Sequence, residues 1–114
     1  MALQTFIDRL NSSPQFIEFG DTMAVIDSLY LFTPTAFQNG ELHNAADQNN
    51  GSCKLFAFAR AQNLSEEQTL ACFGAFYRDD VLKDPDGSSH QNIRNFMRSG
   101  WAGVQFEGEP LAEK

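Results

Sequence analysis

The chain has 114 residues, with fifteen acids against eight bases, a net charge of -7 and a hydrophobic fraction of 42%. That length fits one domain able to bury a core without metals or disulfide staples, and eleven phenylalanines supply the apolar surface, which excludes disorder. The acidic balance opposes attraction to nucleic acid or to an anionic membrane surface, so neither is an expected partner.

Leu3, Phe6, Ile7 and Leu10 recur at the helical period and predict an amphipathic first helix. The same stretch lacks the basic start and unbroken apolar run of a secretory signal, and no later run has the length of a membrane span. Ser13-Pro14 opens a short second helix to Phe19. Gly20-Asp21 interrupts it, and Asp21 caps a third helix lined by Met23, Ile26, Leu29 and Tyr30.

Strand formers then run from Phe32 to Phe37, with Pro34 marking an edge strand. Asn39-Gly40 predicts a two-residue hairpin turn that pairs Gln38 with Glu41 and Phe37 with Leu42. Residues 43–52 are polar and turn-forming, hence a surface loop. Asn50 or Ser52 caps a central helix in which Lys54, Arg60 and Gln62 are almost the only polar positions, so neighbours bury it on several sides.

Ser65-Glu66-Glu67-Gln68 matches a capping box, and the helix it opens carries Leu70, Phe73 and Tyr77 on one face. Asp84-Pro85-Asp86-Gly87 turns the chain. Ser88 or Ser89 caps the last helix, with Ile93, Phe96 and Met97 inward and Gly100 as its stop. Val104 and Phe106 lie on one side of a strand expected to join the hairpin, and residues 107–114 read as a frayed polar tail.

Several blocks, in this order, carry a resemblance: Asp21–Asp27, Phe32–Phe37, Asn50–Lys54, Gln68–Gly74, His90–Met97 and Gly100–Val104. Together they resemble the HopJ type III effector family over nearly the whole chain. The resemblance implies a small bacterial protein classed with effectors delivered to host cells by type III secretion, and it implies no reaction. The chain opens on a patterned helix carrying Asp8, unlike the flexible, acid-poor start usual in such effectors. Two cysteines make no disulfide framework, so the cytoplasm is the expected location and delivery the alternative.

Cys53 is the first chemical candidate, because a thiol at a helix start has its thiolate favoured by the dipole. Gly51-Ser52-Cys53 echoes the nucleophile site of papain-like enzymes, although Gln48 stands five residues before the thiol instead of six. His90 or His43 would be the base and Asn92 or Asn95 the orienting group. The competing reading makes Cys53 a small core hydrophobe.

Candidate binding residues are Asn49 and Asn50 in the polar loop, Arg94 and Arg98 one helical turn apart, and Trp101. For the arginine pair the plainer reading is a solvated helix face, and for Trp101 a half-buried cover on the sheet. If the loop binds, replacing Asn49 and Asn50 by alanine should remove binding at little cost in stability. His43 with Asp47 and the Asp84–Gly87 turn fit neither zinc nor calcium spacing, so no metal and no cofactor is expected.

The expected fold is a single α+β domain: five or six short helices around a buried central one, with a small antiparallel sheet of two or three strands. The expected function is binding to a protein partner without catalysis. A cysteine-dependent hydrolase or transferase is the alternative.

Overall fold

The computed structural model describes residues 2–114. Helices α1 (Leu3–Ser12), α2 (Phe19–Leu29), α3 (Asn50–Ala61), α4 (Glu66–Ala71) and α5 (Gln91–Ser99) surround two small antiparallel sheets. Strand β1 (Tyr30–Phe32) pairs with β5 (Leu111–Glu113), and β2 (Phe37–Asn39) is the middle strand between β3 (Leu42–Asn44) and β4 (Val104–Phe106). This is the α+β architecture expected, and β4 joins the hairpin as a third strand.

Helix α3 is the element around which the rest packs. Its Phe56 ring lies 6.2 Å from Phe37 of β2, 5.5 Å from Phe73, 5.0 Å from Phe96 of α5 and 6.3 Å from Trp101. From the opposite side, Phe58 meets Phe6 of α1 at 5.9 Å and Tyr30 of β1 at 6.3 Å. Both phenylalanines, with Cys53, Leu55 and Ala59, are wholly buried. Two aromatic clusters therefore meet on one helix. Deleting either ring would cost about 3 to 5 kcal/mol, the usual range for a buried phenylalanine.

Several local expectations are corrected. The hairpin pairs Asn39 with Leu42 and Phe37 with Asn44, so the turn is Gly40-Glu41, one residue later than Asn39-Gly40 predicts. Asn39 is buried in the strand because its amide donates to the Asn92 carbonyl at 2.8 Å, while Gly40 takes the positive φ of 62°. Pro34 lies between β1 and β2, and β2 is central, not an edge.

Gly20 does not interrupt a helix. A 3-10 turn, Pro14–Phe16, is followed by α2, whose start is closed by a capping box between Glu18 and Asp21. The helix opened by Ser65 stops at Ala71 instead of running on to Tyr77. Gly74 has φ 63°, and a Cβ there would lie 2.6 Å from the Phe19 backbone nitrogen, so only glycine lets the start of α2 come so close. A π-helical turn, Phe76–Val81, follows.

Met97 is 45% exposed instead of inward, and Arg94 takes its place in the interior. The segment 107–114 is no frayed tail: Leu111 pairs with Phe32, and Lys114 N–H donates to the Leu29 carbonyl at 3.0 Å.

Candidate functional site

Helices α3 and α5 begin in the same unusual way. The residue before each, Asn49 and His90, has a left-handed backbone with φ 54° and 52°, and neither side chain caps its helix. No acidic residue stands in either first turn. By contrast α2 and α4 start with complete capping boxes. The first N–H groups of a helix have no intrahelical acceptor, and the dipole adds partial positive charge there. In α3 and α5 that potential is not spent on the chain's own side chains.

Both starts open onto one cavity of about 420 Å³. Asn49, Gly51 and Ser52 line it from α3, and His90, Gln91, Asn92 and Ile93 from α5; Phe19, Phe73 and Phe76 form an aromatic wall, with Leu42 beside them. The rings brace one another: Phe19 stacks on Phe73 at 6.2 Å and meets Phe76 at 5.2 Å, and Phe76 lies 5.1 Å from the His90 ring. Gly51 leaves room for this, since a Cβ there would lie 2.9 Å from the tip of Phe19.

Behind the cavity, asparagine amides hold the two helix starts together. Asn44 and Asn92 exchange amide hydrogen bonds at 3.2 and 3.0 Å, Asn39 donates to the Asn92 side chain at 3.0 Å, and Asn49 donates to Asn44 at 2.6 Å. A buried amide network is stabilising when satisfied. Here the Asn39 Oδ1 is buried without a partner among the described residues. His90 Nε2 lies 2.9 Å from Asp80 Oδ2, and Nδ1 has no hydrogen-bond partner among the described residues. No Lys, Arg, Asp or Glu lines the cavity.

The thiol stands apart from this site. Cys53 is fully buried, its Sγ donates to the Thr35 carbonyl at 3.5 Å, and burial pushes its pKa up to about 11. His90 is bonded to Asp80, and His43 shares a 3.3 Å contact with Gln38. Among the described residues neither imidazole is within hydrogen-bond reach of the sulfur. The helix dipole that sequence position suggests for Cys53 is outweighed by desolvation, because the side chain turns into the core. Cys72 is buried too, and its pKa is pushed up to about 12 for the same reason.

The binding candidates scatter. Arg94 is 6% exposed, so it is not part of a solvated face. Its guanidinium donates to the Ser89, Asp84 and Pro85 carbonyls and clamps the loop before α5. Arg98 is exposed and donates to Asn95. Trp101 is half-buried, its indole N–H donates to the Leu64 carbonyl at 3.1 Å, and Arg60 lies over its ring at 5.1 Å. Asn50 bonds to Asp47 at the surface. Asn49 lines the cavity and supports Asn44, so its replacement would cost stability, unlike the expectation for a free loop residue.

Sequence reasoning missed Phe19, Phe73, Phe76 and Ser52 as site residues. Their phenylalanines read as core, and only the fold shows that three of them turn a face to one cavity. The legible signal was the pair Asn49 and His90, types that tolerate positive φ, each directly preceding a helix.

Among the described residues no helix is long and apolar enough to cross a membrane, and no group of three or more His, Cys, Asp or Glu could hold a metal ion. A family model described as HopJ type III effector protein matches residues 3–111. The crystal structure of the unknown-function protein VPA0580 is similar, with 59% sequence identity, 100% of this chain and 95% of that chain covered, and a TM-score of 0.98. Comparison with curated proteins finds no match.

Proposed function

Since the chain belongs to the HopJ type III effector protein family, we propose that it is a binding protein without catalytic chemistry, and that it engages a protein partner at the face formed by residues 43–52, His90 and Gln91. The observation that supports this most is the convergence of two uncapped helix starts on one ring-walled cavity. A buried anchor in such a pocket is how interfaces concentrate their affinity. The thiol alternative lacks a base: Cys53 bonds only to a backbone carbonyl, and both histidines are engaged elsewhere.

The family's description supports delivery through a type III system as one destination. Two unpaired, buried cysteines suit a reducing compartment, and the cytoplasm is the destination we favour.

Ser52 gives a clean test, because its hydroxyl bonds to no described residue and it lines the cavity, where a larger side chain takes up space. Capture of a partner from the source cell should be at least tenfold weaker for Ser52→Leu than for the unaltered protein, with the melting temperature of the variant held within a few degrees. Equal capture by both proteins would exclude this face as the interface.

A further inference from the structure

The cavity's lining also specifies what can enter it. Resting on the reading of this face as a binding site, we infer that its occupant is an uncharged, planar ring bearing an amide or similar donor–acceptor group. Three observations carry the inference.

The first is shape. Phe19, Phe73 and Phe76 form a braced wall, and the His90 ring extends it at a tilt of 31° to Phe76. Aromatic faces set this way accept a flat ring by offset or edge contact. A volume of about 420 Å³ suits one or two fused rings and their substituents, near the lower end of ordinary ligand cavities.

The second is hydrogen bonding. The polar lining is three amides, a hydroxyl and an imidazole: Asn49, Gln91, Asn92, Ser52 and His90. Asn49 and Gln91 spend an N–H on the protein, to Asn44 and to the Ser88 carbonyl, and their amide oxygens stay available. Ser52 can donate or accept, and His90 Nδ1 donates or accepts according to the ring's tautomer while Nε2 contacts Asp80. Such a set complements a group that both donates and accepts.

The third is charge. An anion entering here meets no Lys or Arg in the lining and has Asp80 next to His90, in a protein of net charge -7. A cation meets two helix starts, each equivalent to roughly half a positive charge. The two potentials offset each other across the same space, and the lining holds no Lys, Arg, Asp or Glu to repay the desolvation of a charged group, a cost that an uncharged ligand avoids.

Three probes with one ring and three charges test this: nicotinamide, nicotinate and 3-picolylamine, titrated into the full-length protein at neutral pH and followed by backbone amide shifts. The expected result is saturable shifts at Gly51, Ser52 and Gln91 with nicotinamide, and at least tenfold weaker affinity for the two charged probes. Ser52→Leu and Phe76→Ala should each weaken nicotinamide binding at least tenfold while the rest of the amide spectrum keeps its folded dispersion. Absence of nicotinamide binding, equal or tighter binding of a charged probe, or shifts confined to another surface would overturn the inference. Loss of partner capture by Ser52→Leu alongside a failed nicotinamide titration would overturn it while leaving the proposed interface standing. Successful titration with unchanged capture would do the reverse.

Discussion

At the scale of single residues, position in the chain and environment in the fold give opposite answers for Cys53 and Arg94. Cys53 sits in the first turn of α3, where a dipole lowers a thiol's pKa, yet its Sγ faces the core and burial raises it to about 11. Arg94 sits where the helical pattern reads as a wet face, yet it is buried because three backbone carbonyls of the preceding loop need its donors. The two cases share a cause: sequence spacing gives the face of a helix, and only tertiary packing decides whether that face is covered, as the core reading of Cys53 required and the solvated-face reading of Arg94 did not. The thiol shifts also set a pH dependence. Burial lifts both folded pKa values above the ordinary thiol value of about 9, so their contribution to stability is whole below that value and is lost as pH rises toward about 11 and about 12. Urea unfolding should therefore show a midpoint that falls between pH 9 and about 11, and a Cys53→Ala, Cys72→Ala double variant should lose much of that fall. An equal fall in both proteins would assign it to other groups.

At the scale of elements, helices with strong side-chain signals were legible and backbone-determined features were not. The Ser65 to Gln68 capping box forms as its sequence predicts. Helix α1 and central helix α3 follow their apolar patterns, with Phe6 and Leu10 buried on the first. The hairpin turn slid by one residue because Asn39 contributes more as a buried donor to Asn92 than as a turn residue. Strand β5 was invisible, since Leu111-Ala112-Glu113 has one large apolar side chain and gains its order from pairing with β1. That strand carries a prediction of its own. Ending the chain at Pro110 removes Leu111 from its packing on the core and strips the Lys114 bonds to Leu29 and Asp27. The truncated protein should be less stable by about 2 to 3 kcal/mol in urea unfolding, one half-buried leucine plus the lost hydrogen bonds. An unchanged midpoint would mean that β5 rests on the surface without supporting it.

At the scale of the molecule, six sequence blocks carried the family, the patterns of the elements carried the fold class, and neither carried chemistry. The candidate site lay outside that reach because its parts come from six places: α2, β3, the start of α3, the turn after α4, the π-helical turn and the start of α5. No spacing rule joins Phe19 to Ser52, Phe76 and Gln91; the buried asparagines that lock the helix starts together do. Binding without catalysis requires that Cys53 belong to the core and stay out of reach of solvent. Alkylation of the folded protein at neutral pH, read residue by residue with mass spectrometry against an unfolded control, tests it most directly. Cys53 and Cys72 should both stay unmodified until the protein unfolds, since both are fully buried. Rapid modification of Cys53 with Cys72 spared would contradict it and reinstate a reactive thiol at the start of α3.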